Sequence, residues 1–108
     1  MNYDDLIMRI EKEVMNDPQI QQAVQEMKEI ILARYPEARF EVGFGEEPIG
    51  AYVTAIVDVE DPDEVIDLYL DRMVEMQVEE RLPIHVIAVQ PMPSERRAAA
   101  EKKYRQSA

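Results

Sequence analysis

Residues 51–59 and 84–89 are apolar runs, and between them the chain places Asp61-Pro62-Asp63-Glu64 followed by helical periodicity to about Glu80. An aspartate that can accept a backbone N–H, a proline at the first helical position and a glutamate three residues after the aspartate form a reciprocal capping signal, so a helix starts there. A strand, a helix and a second strand at this spacing form a right-handed parallel crossover. The first of the two strands is apolar on both sides, with Val53, Ala55, Val57 and Val59 opposite Tyr52, Thr54 and Ile56. Only a central strand buries both faces in this way.

The remaining elements are arranged around that unit. Leu6, Ile7, Ile10 and Val14 have helical spacing, as do Ile20, Val24, Met27, Ile30 and Ile31. Between the two sets, Asp17 followed by Pro18 caps and opens a second helix running to about Arg34; one long helix bent at Pro18 fits the same pattern. Tyr35-Pro36 ends it. From Arg39 to Phe44 the period changes to two, and the glycine- and proline-bearing stretch from Gly45 to Gly50 turns the chain into a hairpin.

These readings predict an α+β fold: a two-layer α/β sandwich of order α-α-β-β-α-β with an optional C-terminal helix, its small mixed three-stranded sheet carrying helices on one face. Val53, Val57, Met73 and Val86 are expected to share one interior. Residues 1–93 form the single domain, and 94–108 are a basic tail, either a short helix capped by Ser94 or disordered.

The chain has 23 acids against 12 bases, a formal net charge of −11. The tail holds five of the bases and only two of the acids. A surface this acidic repels phosphate backbones and anionic lipid, so neither nucleic acid nor membrane is an expected partner. The absence of cysteine excludes disulfides, thiolate metal sites and cysteine nucleophiles. No apolar run reaches the ~20 residues of a membrane span and the first residues are acidic, so a cytoplasmic location is expected.

Asp58 and Glu60 stand where a strand end meets a helix start, an edge that ligands favour, and strand alternation puts them on one side. With His85 they are the candidate ligands for a divalent cation, although solvated charge and helix capping explain most of this acidic run. His85 has no base partner in view, and both serines lie near the C-terminus, so no catalytic residue is assigned.

The stretch Phe44-Gly45-Glu46-Glu47-Pro48-Ile49-Gly50, then Asp58-Val59-Glu60, a helix and Pro83-Ile84-His85-Val86 resembles the layout of minimal nucleotidyltransferases, over about 45 residues. Glu46 stands at that family's serine and His85 at its third acid, so the resemblance implies a degraded, inactive relative. RNA-binding KH domains share the element order but require a Gly-x-x-Gly loop that this chain lacks.

The face of the sheet away from the helices is expected to show Tyr52, Ile56, Ile87 and Val89, too apolar to be left to water. The expected function is therefore a non-catalytic protein–protein interaction module that forms a homodimer, without a cofactor. That face and the tail bases Arg96, Arg97, Lys102 and Lys103 are its contact surfaces. The alternative is a divalent-metal or ligand-binding domain built on the acids around Asp58.

Overall fold

The structure is a computed structural model and describes residues 2–92. Helix α1, Tyr3–Met15, begins at Asn2, whose side chain accepts the Asp5 N–H at 2.8 Å. Helix α2, Pro18–Arg34, begins at Asp17, which accepts the Gln19 N–H at 2.8 Å ahead of the proline. The first two apolar sets are therefore separate helices rather than one bent rod.

Strands β1, Arg39–Glu46, and β2, Ile49–Ile56, form an antiparallel hairpin, and β2 pairs in parallel with β3, Ile84–Val89. The crossover between them is α3, Asp63–Val78. The order in the sheet is β1-β2-β3, with β2 central. The described residues thus form a three-helix, mixed three-stranded α+β fold in the expected order. Residues 93–108, with the expected tail helix, lie outside the described residues.

Alternation sends Ala51, Val53 and Ala55 of β2 and Ile84 and Val86 of β3 into one interior with Ile20, Ala23, Met27 and Ile31 of α2 and Val65, Tyr69 and Met76 of α3. Val57 belongs to it and Met73 packs against it. The interior proposed from the pattern is therefore present.

The strand ends depart from expectation. The hairpin turn is shorter than the span from Gly45 to Gly50: the strands run on to Glu46 and from Ile49, leaving Glu47 and Pro48, joined by a cis peptide bond, as the loop. The second strand ends at Ile56, although Val57 N–H still donates to Val89 O.

Helix α1 is amphipathic yet buries no residue; Ile7, Ile10 and Val14 are half-buried and Leu6 is exposed. A three-stranded sheet is about 10 Å across between its outer strands, and helices pack about 8 to 10 Å apart. With α2 and α3 in place, α1 is left at the margin.

The apolar stripe on α3 is also broader than its buried face. Val65, Tyr69 and Met76 are buried, but Leu68, Leu70, Val74 and Val78 are exposed. One contact face spans little more than a third of a helix circumference, so Val65, Leu68, Tyr69, Leu70, Val74, Met76 and Val78 cannot all turn inward.

Side chains of α3 also treat the two edges of the sheet differently. In the parallel ladder the outer backbone groups of β3 have no strand to pair with. Gln77 Nε2 donates to Ile84 O at 2.8 Å, the Tyr69 hydroxyl donates to Val86 O at 3.1 Å, and Val86 N–H donates to Met73 Sδ at 3.3 Å. Residues 69, 73 and 77 are successive turns of one helix face, so they line the strand edge like a missing neighbour. A second brace joins the helices: Arg72 binds Glu26 of α2 together with Glu75 and Glu80 at the end of α3. Beyond the helix, Arg81 adopts a left-handed φ of 55°, and Leu82 N–H folds back to Met76 O at 2.9 Å.

Candidate functional site

The sheet face opposite the helices is assembled by register alone. Tyr52 lies beside His85, Thr54 beside Ile87 and Ile56 beside Val89, while Arg39, Glu41, Gly43 and Gly45 of β1 complete the face. None of these side chains belongs to the core, and Ile87 is 43% exposed. Among the described residues, the helix side chains in and around the core pack on the other side of the sheet, with Ala51, Val53 and Ala55. Tyr52, Ile56, Ile87 and Val89 thus share one surface.

The hairpin end of that face is rigidly built. The Tyr52 ring lies across Gly45, where an added Cβ would come within 2.3 Å of it, and the hydroxyl donates to Pro48 O at 2.7 Å. Its other side meets the His85 ring, with centroids 4.8 Å apart. Gln77 Nε2 stands 3.4 Å from His85 Nδ1. His85 Nε2 is buried without a hydrogen-bond partner, against Gly50, where a Cβ would come within 3.1 Å of it. The packing holds His85 as a spacer between Tyr52 and Gln77.

Asp58 and Glu60 stand at the opposite end. His85 pairs with Tyr52, whereas Asp58 follows the last residue of β2, six positions further along. At the rise of an extended strand this separates them by roughly 20 Å, so His85 shares no site with the two acids. Strand alternation does not orient Asp58 and Glu60 either, because both follow the end of β2. Their loop is held instead by Gln90, whose Nε2 donates to Val59 O at 2.8 Å and Glu60 O at 2.9 Å.

The expected reciprocal cap is not formed: α3 starts at Asp63 with Pro62 as its N-cap and no side-chain capping bond, and Asp61, one residue earlier, accepts the Asp63 N–H at 3.0 Å as a turn ahead of the helix. Among the described residues, no group of three His, Asp or Glu side chains is placed to hold a metal ion. A cleft of about 300 Å³ does open beside Asp58, between Tyr35, Ala38, Arg39, Ile56 and Pro91.

The tail bases Arg96, Arg97, Lys102 and Lys103 lie outside the described residues. Periodicity gave no sign of Gln77, Gln90 or Arg72. A polar residue bonding to a distant backbone leaves no mark in a hydropathy pattern. Among the described residues, no helix is long and apolar enough to cross a membrane. Compared with protein-family models, with curated proteins and with solved structures, the chain finds no significant match in any of the three.

Proposed function

We propose that this chain is a small acidic cytoplasmic protein acting as a non-catalytic protein–protein interaction module that self-associates, with the uncovered sheet face as its contact surface. The observation that carries the reading is the co-location of Tyr52, Ile56, Ile87 and Val89 on the sheet face away from the helix side chains of the core. Apolar surface of this kind, rimmed by charge, is what protein contacts use. The net charge of −11 favours a basic protein partner over nucleic acid or anionic lipid, and the basic tail provides a tether to the acidic body of a neighbouring copy.

Sedimentation equilibrium of the whole chain over a concentration series tests self-association; the expected result is a dimer, and a monomer throughout removes it. Calorimetric titration with magnesium, manganese, calcium and zinc addresses the non-catalytic half. No heat is expected. A binding signal lost in Asp58→Asn would transfer the function to the acidic segment.

A further inference from the structure

The two edges of the sheet are not equivalent. On β3 the outward backbone groups of Ile84 and Val86 are taken up by Gln77, Met73 and Tyr69. On β1 the pairing is different. Ala51 N–H is committed to Pro83 O on the β3 side. In an antiparallel ladder its partner Phe44 therefore turns its own N–H and C=O away from β2, as do Val42 and Phe40. The eight-residue β1 ladder contains no bulge and no proline, the usual devices that blunt an edge.

Two further observations fall on the same strand. Val42 points to the helix side of the sheet yet is 41% exposed, and α1, whose Tyr3 reaches Glu46 at the end of β1, buries nothing. Gly43 has no reason to be glycine within its own chain. A Cβ built there meets nothing within 4 Å, whereas Gly45 and Gly50 are each pressed by a neighbour. Glycine inside a strand weakens it and often marks a place where another backbone approaches closely.

We infer that two copies of this chain join edge to edge through β1, antiparallel about a two-fold axis at Gly43, making one six-stranded sheet. This rests on the self-association proposed above but moves it from the sheet face to the β1 edge, leaving the face to a further protein partner.

A two-fold axis perpendicular to the sheet pairs only residues on the same face. Centring it on Gly43 sets Val42 against Phe44 of the second copy and Phe40 against Glu46. These four residues all turn their backbone groups to the edge where no further strand pairs among the described residues, so both pairs are hydrogen-bonded ones. The charges fit this register. Arg39 comes opposite Glu47 of the second copy, and Lys28, whose ammonium lies 5.9 Å from the Phe40 ring centroid, comes beside Glu46. Each pairing occurs twice. Glu41 falls opposite Gly45, so no like charges stand directly opposite one another. The alternative register centred on Val42 opposes Arg39 to Gly45 and makes none of these ion pairs. Edge pairing leaves the uncovered sheet faces of both copies side by side, available to a protein partner.

Sedimentation of variants against the whole chain is the test. Val42→Pro removes an outward N–H that β2 does not use, and a weakening of dimerisation by about 100-fold is expected, with circular dichroism unchanged. Should that variant misfold, the charge series still decides. Arg39→Glu alone and Glu47→Arg alone each weaken the dimer about tenfold, and the double exchange restores it to within about threefold, because an acid again stands opposite a base in both contacts. A dimer that survives Val42→Pro but is lost in Ile87→Asp overturns edge pairing while leaving self-association through the sheet face standing. A wild-type chain that stays monomeric overturns both, and a double exchange no better than its parents refutes the register.

Discussion

The three glycines of this protein give a graded test of the packing, because a methyl group added at each meets a different obstacle. At Gly50 the new Cβ would stand 2.3 Å from Pro83 O and 2.8 Å from Pro83 C, both backbone atoms. Ordinary contact begins at 3.4 Å, so the start of β3 must retreat by about 1 Å. That carbonyl also accepts the Ala51 N–H at 2.8 Å in the first rung between β2 and β3. A lost rung costs about 1 kcal/mol and overpacking strain about 1 to 3 kcal/mol, so Gly50→Ala destabilises by about 2 to 4 kcal/mol.

At Gly45 the obstacle is the Tyr52 ring, which can tilt but is tied through its hydroxyl to Pro48 O; a cost of about 1 kcal/mol follows. At Gly43 nothing lies within 4 Å, and replacing a strand glycine gains about 0.5 to 1 kcal/mol. Urea titration at protein concentrations low enough to keep the chain monomeric measures all three, since self-association, which approaches Gly43 in the edge-paired dimer, would add its own contribution to stability. Gly50→Ala also lowers the melting temperature by about 10 to 20 °C for a domain of this size. A Gly50→Ala variant within about 0.5 kcal/mol of wild type, the scatter for neutral surface substitutions, or one more stable than Gly43→Ala, would refute the packing argument.

Other substitutions probe separate parts of the fold. Burial pushes the Tyr69 phenol above its ordinary value of 10.0, so the folded chain keeps that proton where the unfolded chain has released it. Stability then falls as pH rises through about 10, and Tyr69→Phe removes this part of the alkaline loss in urea titrations run across that range. The same substitution deletes the bond to Val86 O and costs about 1 to 2 kcal/mol at neutral pH. Ile31→Ala, at a fully buried position facing the sheet, is expected to cost about 2 to 5 kcal/mol by chemical denaturation. Arg81→Gly relieves a left-handed backbone and stabilises by about 1 kcal/mol, read as a rise in the urea midpoint with unchanged slope. Arg72→Gln unties α2 from α3 and lowers the thermal midpoint, by less at high salt than at low salt.

The elements were legible because each carries a local signal: Asp17 and Asp61 ahead of prolines, alternation in 39–44, and a strand apolar on both sides that had to be central. The uncovered face followed from the same alternation, since side chains two apart in a strand share a side. What could not be read depends on how elements register against one another. Asp58, Glu60 and His85 looked combinable because β2 and β3 are both strands near the acidic segment. The parallel register pairs His85 with Tyr52 and sends the acids to the far end of the sheet. The width of the sheet likewise decided that α1, the more amphipathic of the first two helices, would lie at the margin while α2 took the centre. Gln77 and Met73 could not be recognised as edge partners until the helix was laid along the strand they serve.

The ladder formed by Tyr69, Met73 and Gln77 also limits stoichiometry. A sheet that can accept new strands on both sides has no natural end, and copies can add until a fibre forms. Here the molecule's own helix already takes up the outward groups of Ile84 and Val86, so in the edge-paired dimer proposed above little of the other edge is left for a further strand. If two chains do join through β1, growth by strand addition is expected to stop at that pair, and freeing the far side, by substituting Gln77 and Tyr69 together, is the change expected to let such pairs polymerise.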